Sequence, residues 1–114
     1  VTYHTCGGTY GLEEMIVDNH CDASETLAPM SIGSNQEPWD FKRKIGDRLA
    51  LIGGMDQFNV VSDGPAEKIR AAVHELFEKV GYDGGYICSM ADHFFETPPE
   101  HLQVFADAAR ECEY

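Results

Sequence analysis

Short stretches of alternating apolar residues follow one another along this chain, separated by longer stretches in which apolar residues recur every three or four positions. The short stretches predict strands, and the longer ones predict helices. Strands are expected at Val1–Thr5, Cys21–Leu27, Leu49–Ile52 and Gly85–Cys88. Helices are expected at Thr9–Asn19, Glu37–Ile45, Pro65–Val80 and from Thr97 through Ala109. The pattern therefore predicts four βα units in series.

Turn-forming residues mark several of these boundaries. Gly46 and Gly81 follow the second and third predicted helices, at positions where glycine commonly ends a helix. Gly53 and Gly54 end the apolar run of the third strand, and such a run is typical of strands buried on both faces of a parallel sheet. The segment Thr97–Glu100 has the sequence of a capping box with proline in the first turn, which predicts the start of the last helix.

Alternating βα units predict parallel strands that are joined by right-handed helical crossovers. Two α/β architectures accommodate the predicted units: half of a TIM (βα)8 barrel, and a small open sheet. In both, functional side chains gather at the carboxyl ends of the strands. Because Val1 already lies in a predicted strand, we interpret residues 1–114 as a single partial domain from a longer protein.

The composition is that of an ordinary globular chain, with 43% hydrophobic and 25% charged residues. Twenty acidic residues against eight Lys and Arg give a net charge of −12, which disfavours nucleic acid and anionic membranes as partners. No apolar run approaches the roughly 20 residues that a membrane span needs, and no signal segment opens the chain. We therefore expect a cytoplasmic chain whose cysteines are free thiols.

A pair of metal-binding residue types ends the first predicted strand. His4 and Cys6 are two positions apart, so strand alternation places both side chains on one face. Imidazole and thiolate both bind zinc, and catalytic zinc sites usually have three protein ligands. Either Cys88 or His93 could be the third ligand, because strand ends converge at the mouth of a barrel. Cys88 could instead be a core residue of its strand, and His93 could be a loop imidazole that binds no metal. The alternative is a buried thiol beside a hydrogen-bonded imidazole, without metal.

Three further side chains at strand ends are catalytic candidates: Glu25, Asp56 and His93. Glu25 could be a metal ligand, a proton acceptor or an anchor for a ligating imidazole, or simply a solvated loop carboxylate. Asp56 follows Gly53 and Gly54, whose missing side chains would let a cofactor approach the backbone closely. The alternative for these glycines is an ordinary turn between a strand and a helix.

Several segments, in this order, resemble the carboxy-terminal half of the uroporphyrinogen decarboxylase superfamily. The resemblance covers nearly the whole chain and implies the last four βα units of a TIM barrel. The segments that carry it are His4–Gly7, Cys21–Pro29, Leu51–Asp56, Gly84–Ile87 and Thr97–Glu100.

Within that superfamily, a His-x-Cys pair followed much later by Cys resembles the zinc site of the cobalamin-dependent methyltransferases. His4, Cys6 and Cys88 follow that order, although the distance to Thr97 would put the family's last Cys nearer Ala91. The resemblance implies Zn²⁺ as a cofactor and methylcobalamin carried by a corrinoid protein. It also implies a small-molecule methyl donor or thiol acceptor as substrate.

Two other functions are consistent with the resemblance. A true uroporphyrinogen decarboxylase would bind a substrate with several carboxylates and would need cations, but the predicted strand-end segments contain none. An isolated half barrel without activity is the third alternative. Because the outer strands of a half barrel would lack a neighbour, we also expect a homodimer or larger assembly, with contacts near Val1–Thr5 and Tyr86–Cys88.

Overall fold

The computed structural model of the chain describes all residues, 1–114, and its regular elements alternate between strand and helix. The strands are β1 (Thr2–His4), β2 (Ala23–Leu27), β3 (Ala50–Met55) and β4 (Tyr86–Met90). The α-helices are α1 (Glu13–Asp18), α2 (Pro38–Ile45), α3 (Ala66–Lys79) and α4 (Pro99–Arg110). A 3₁₀ turn covers Met30–Ile32, and a π-helical segment covers Gln57–Ser62. None of these helices combines the length and the apolar character needed to cross a bilayer.

The four strands form one parallel sheet in the order β1-β2-β3-β4. His4 is the register partner of Glu25, and Gly53 is the partner of Cys88. A parallel sheet in chain order, with a helix after each strand, has the arrangement of part of a (βα)8 barrel. The predicted fold class and strand order are therefore confirmed.

Helices cover only one face of this sheet. Leu51 and Tyr86 are buried register partners, 0% and 3% exposed, and Tyr86 makes an edge-to-face contact with Phe77 of α3. Their neighbours Ile52 and Ile87 are also register partners, but Ile52 is half-buried and Ile87 is 54% exposed. Side chains alternate between faces along a strand, so one face packs on the helices and the other is open.

The first helix is shorter than predicted. α1 begins at Glu13 rather than Thr9, because Gly11 adopts a positive φ angle of 84° that interrupts a right-handed helix. The intervening loop is held by Asn35, whose side chain accepts a hydrogen bond from the backbone N–H of Tyr10. The apolar period in this stretch therefore reflects a loop followed by a short helix.

The capping box predicted at Thr97–Glu100 does not form. α4 begins at Pro99 with Pro98 as its N-cap, and Pro98 has no side-chain acceptor. The Thr97 hydroxyl lies one position too early and instead pairs with the Ser62 hydroxyl at 2.6 Å. A capping box does exist at the start of α2, where Glu37 and Asp40 cap each other's backbone N–H groups.

Candidate functional site

The centre of the candidate site is an imidazole held between a thiol and a carboxylate. His4 Nε2 lies 3.4 Å from Cys6 Sγ, and His4 Nδ1 lies 2.7 Å from Oε1 of Glu25. Strand pairing brings Glu25 to this position, because it is the register partner of His4. Both side chains remain about half exposed, so the group is accessible at the carboxyl edge of the sheet.

A local irregularity at the end of β2 helps to position Glu25. The pairing of β2 with β3 shifts between Ser24 and Leu27, and Thr26 has a positive φ of 64°. The Thr26 hydroxyl donates to the backbone oxygen of Thr5, which ties the end of β2 to the chain between His4 and Cys6. Bulges of this kind often redirect side chains next to functional sites.

A cavity of about 300 Å³ opens beside this group at the carboxyl edge. His4 and Glu25 line one side of it, and the loop after β4 contributes Asp92 and His93. His93 Nδ1 lies 2.6 Å from Asp92 Oδ1. Hydrogen bonds from the backbone N–H and the imidazole of His93 lower the pKa of Asp92. The sheet therefore brings three predicted site residues, His4, Glu25 and His93, to one cavity.

The structure does not place Cys88 with them. Cys88 has the strand parity of buried Tyr86 and packs against the hydrophobic core on the helix-covered face. Ser89, its neighbour, faces the cavity that His4 lines. Burial raises the pKa of the Cys88 thiol to about 11. Alternation turns the side chain of Cys88 away from His4 and Cys6, and this placement does not support the predicted role of Cys88 as a metal ligand.

The side chains at this edge supply part of the donor set of a zinc site. No three His, Cys, Asp or Glu side chains already stand close enough to share a metal ion. His4 and Cys6 nevertheless fit two positions of a zinc site, since their donor atoms are 3.4 Å apart. Glu25 on the other imidazole nitrogen is the carboxylate partner that zinc-binding histidines commonly have. His93 remains the third-ligand candidate.

Asp56 lies at the same edge of the sheet but not at this cavity. It is 6% exposed, and its Oδ1 accepts hydrogen bonds from the backbone N–H groups of Phe58 and Asn59 at 3.0 and 2.8 Å. Its Oδ2 accepts from Ser31 Oγ and Asn59 Nδ2. Burial raises the pKa of Asp56, but these hydrogen bonds outweigh burial and lower it overall. Asp56 therefore caps the π-helical segment as a saturated carboxylate, which does not support a catalytic role.

Gly53 and Gly54 lie inside β3 rather than in a turn after it. A Cβ at Gly53 would stand 2.8 Å from the backbone nitrogen of Leu27, and one at Gly54 would stand 2.9 Å from Leu76 and 3.0 Å from the Tyr86 hydroxyl. That hydroxyl donates to the Gly53 carbonyl at 2.8 Å. The space that side chains would need at the two glycines is therefore occupied by Leu27, Leu76 and Tyr86. This packing does not support a cofactor-binding role for the two glycines.

Lys and Arg side chains are absent from the site. None of the residues that line the 300 Å³ cavity is Lys or Arg. Every one of the eight cations in the sequence forms an ion pair with a carboxylate elsewhere. They are Lys42, Arg43, Lys44, Arg48, Lys68, Arg70, Lys79 and Arg110. This part of the barrel therefore offers no free cation to an anionic ligand.

Two site residues were not predicted as such. Asp92 lines the cavity, and its place two residues after the end of β4 was the signal that could have identified it. Gln57 is 1% exposed and lines a smaller cavity that Cys6 also lines, and nothing in its sequence position distinguishes it from an ordinary loop glutamine.

Together, the parallel sheet and the polar carboxyl edge define a partial (βα)8 barrel with a candidate site at its mouth. The chain belongs to the uroporphyrinogen decarboxylase family: the family model described as "Uroporphyrinogen decarboxylase (URO-D)" matches residues 1–112. This agrees with the resemblance that the sequence motifs carry.

Similar proteins agree with that assignment. The uroporphyrinogen decarboxylase of Edwardsiella ictaluri is 32% identical over 109 residues, which are 95% of this chain and 28% of that protein. The uroporphyrinogen decarboxylase of Aliivibrio salmonicida is 34% identical over 113 residues, 97% of this chain and 29% of that protein. A methyltransferase from Methanosarcina mazei has the same fold over 96% of this chain and 30% of its own, with a TM-score of 0.69 and 23% identity. The chain thus spans less than a third of the proteins that it matches.

Proposed function

We propose that this chain is part of a zinc-dependent, corrinoid-linked methyltransferase of the uroporphyrinogen decarboxylase superfamily. The observation that carries the proposal is the His4–Cys6 pair, whose donor atoms are 3.4 Å apart, with Glu25 bound to the far nitrogen of the imidazole. A decarboxylase without metal has no evident use for this arrangement. A zinc-binding methyltransferase uses each of its parts.

The role of each side chain follows from its contacts. Glu25 accepts a hydrogen bond from Nδ1–H of His4, which leaves the lone pair of Nε2 free to face Cys6. His93, which lines the same cavity, would supply a third donor if it turned from Asp92. Bound zinc would lower the pKa of a coordinated substrate thiol and so make it nucleophilic at neutral pH.

The corrinoid part of the proposal rests on the family resemblance. Methyl transfer requires in-line positioning of donor and acceptor more than it requires acid-base groups. The open, half-exposed position of His4 and Glu25 is compatible with a methylcobalamin-carrying partner protein that approaches the carboxyl edge. The methyl donor or thiol acceptor would be a small molecule bound between that partner and His4.

Uroporphyrinogen decarboxylase is the second candidate, and the names of the curated relatives favour it. Its substrate carries several carboxylates, which need cationic partners in a partly buried site. The cavity beside His4 is lined by carboxylates and imidazoles without Lys or Arg. A decarboxylase would therefore have to bind its substrate entirely through cations from outside this chain.

Metal content separates the two candidates. After incubation with Zn²⁺ and dialysis, we expect elemental mass spectrometry to find one zinc per chain. The Cys6→Ala and His4→Ala variants should lose that zinc. Cys88→Ala is the matched control, since its thiol lies on the other face, and it should keep the zinc. Equal zinc content in Cys6→Ala and wild type would reject the proposal. Porphyrin binding without zinc would support the decarboxylase. If the chain bound neither zinc nor porphyrin, the inactive half barrel would be the remaining interpretation.

A further inference from the structure

Glu25 and Leu27 point to opposite faces of the sheet although they are only two positions apart in β2. Glu25 lines the 300 Å³ cavity together with His4 and with Ile52 of the open face. Leu27, in contrast, is 6% exposed and belongs to the hydrophobic core on the helix-covered face. Regular alternation would place side chains two positions apart on the same face. The strand must therefore depart from alternation between them.

The departure is a bulge at Thr26. Ser24 is the register partner of Leu51. Leu27, three positions later, is the partner of Gly53, which lies only two positions after Leu51. β2 thus contains one residue more than β3 over this stretch, and an extra residue reverses the faces of the side chains that follow it.

The backbone of Thr26 has a conformation that threonine disfavours. Its φ of 64° lies in the left-handed region. Glycine adopts that region freely and is the usual left-handed residue of a bulge, whereas a β-branched residue there is an outlier. Such strain persists only where surrounding contacts hold it, and it is concentrated at functional sites. Threonine at this position therefore needs a contact that glycine could not make.

The hydroxyl of Thr26 makes that contact. It donates to the backbone oxygen of Thr5, and it also lies against the backbone oxygen of Glu25. The Thr5 oxygen belongs to the planar peptide unit that joins Thr5 to Cys6, so the hydrogen bond holds the backbone from which the Cys6 side chain starts. Thr26 also lines both the cavity beside His4 and the smaller cavity that Cys6 lines.

We propose that Thr26 is a positioning residue for the His4–Cys6 pair. Its hydroxyl keeps Cys6 Sγ beside Nε2 of His4, at 3.4 Å, and its bulge lets Glu25 reach Nδ1 of the same imidazole, at 2.7 Å. One residue thus places both partners of His4, and it does so through the backbone, without a contact to metal. The inference rests on the proposed function, because it takes His4 and Cys6 as the zinc-binding pair.

Three substitutions at Thr26 separate the hydroxyl from the backbone conformation. Thr26→Ser keeps the hydroxyl, Thr26→Val keeps the β-branched shape without it, and Thr26→Gly removes the hydroxyl and the strain together. Zinc affinity is measured by competition with a chelating dye. We expect Thr26→Ser to bind zinc like the wild type, and the other two variants to bind it about tenfold more weakly. Thr26→Gly decides the test if the valine variant does not fold, because glycine accepts the left-handed backbone.

A second measurement needs no metal. In the zinc-free chain at pH 8, long-range ¹H–¹⁵N NMR reports which nitrogen of the His4 imidazole carries the proton. The wild type and Thr26→Ser should show mainly Nδ1–H, because Glu25 accepts that proton, whereas Thr26→Val and Thr26→Gly should show both tautomers. Thr97→Val is the matched control, since its hydroxyl pairs with Ser62 and lines neither cavity. It should keep the zinc affinity and the His4 spectrum of the wild type.

Urea unfolding of Thr26→Gly distinguishes positioning from a merely structural role. The variant should stay close to the wild type in stability, since it loses the strain along with the hydrogen bond, and yet bind zinc more weakly and show both tautomers. An unchanged His4 spectrum and wild-type zinc affinity in Thr26→Gly would overturn the proposal. So would equal losses in Thr26→Ser and Thr26→Val, because the hydroxyl would then have no part.

The two measurements also separate this inference from the proposed function. Zinc binding by the wild type that no Thr26 substitution weakens would reject the positioning role and leave the methyltransferase proposal intact. A wild type that binds no zinc would reject the methyltransferase proposal, and the His4 spectra of the variants would then decide the role of Thr26 alone.

Discussion

His4 Nδ1 and Glu25 Oε1 lie 2.7 Å apart across two neighbouring parallel strands, at the last paired position of β1. The contact fixes the imidazole so that Nε2 faces Cys6. Glu25→Gln should keep the strand pairing but weaken this orientation. We expect zinc affinity to fall about 10–100-fold, measured by competition with a chelating dye.

Glu14→Gln is the control for that experiment, since Glu14 pairs with Arg48 away from the site. Its zinc affinity should match the wild type. Wild-type affinity in Glu25→Gln would show that the carboxylate does not orient His4.

The cysteines on the two faces of the sheet should differ in reactivity. Cys6 is exposed, whereas Cys88 is half-buried and burial raises its pKa to about 11. Since the thiolate is the reactive form, iodoacetamide at pH 8 should modify Cys6 well before Cys88. Peptide mass spectrometry over a time course measures both. Bound Zn²⁺ should slow the labelling of Cys6 alone, and equal rates for the two thiols would contradict the assigned faces.

Asp56 should contribute to stability in a pH-dependent way. Asp56→Ala removes a buried cap with four hydrogen bonds, so we expect a loss of about 1–3 kcal/mol in urea unfolding at pH 7. Because the folded-state pKa is lowered, the stabilisation is fully present above the unfolded pKa of about 3.9. It is lost as the pH falls through the folded pKa.

The difference between wild type and Asp56→Ala should therefore shrink when the pH is lowered from 6 to 3. Asp107→Ala, on the exposed side of α4, is the control. It should change the free energy of unfolding little at either pH. A difference that does not change with pH would mean that Asp56 stabilises the fold without its charge.

The sequence predicted the strand order because four βα units in series imply parallel strands that are joined by helical crossovers. It also predicted that His4, Glu25 and His93 share one edge, since that follows from parallel topology alone. Side-chain parity was harder: the fourth strand was predicted to end at Cys88, but β4 continues to Met90, and Cys88 packs on the helix-covered face. Gln57 could not be predicted, because its burial is a property of packing.

The two glycines of β3 illustrate the same limit. Their sequence indicates a turn or a ligand contact, whereas the structure shows that Gly53 has a φ of 125° inside a strand and lies against Leu27. Gly53→Ala combines backbone strain with overlap at 2.8 Å. We expect it to cost about 3 kcal/mol or more in urea unfolding.

Gly84→Ala is the matched control for backbone strain alone. Gly84 has a φ of 80°, but nothing lies within 4 Å of the Cβ that alanine would add. This substitution should cost about 1–2 kcal/mol. If both variants lost the same stability, the close approach of Leu27 would have no energetic role.

The open sheet face and the unpaired strand edges should drive association of this 114-residue chain. β1 and β4 each have one neighbour in the sheet, so each leaves a row of backbone groups without a strand partner. Ile87 is 54% exposed on the open face. Two copies related by a two-fold axis could pair these edges, and each copy would then cover the open sheet face of the other.

The net charge of −12 opposes such a dimer, but its repulsion is screened beyond about 8 Å at physiological salt, whereas edge pairing acts at contact. We therefore expect sedimentation velocity to show a dimer or larger species at micromolar concentration, with contacts near Val1–Thr5 and Tyr86–Cys88. Ile87→Lys should shift the chain toward monomer, because it places a charge on the open face. Met15→Lys, at a 65% exposed position on α1, should leave the association unchanged. A clean monomer in the wild type would refute the prediction.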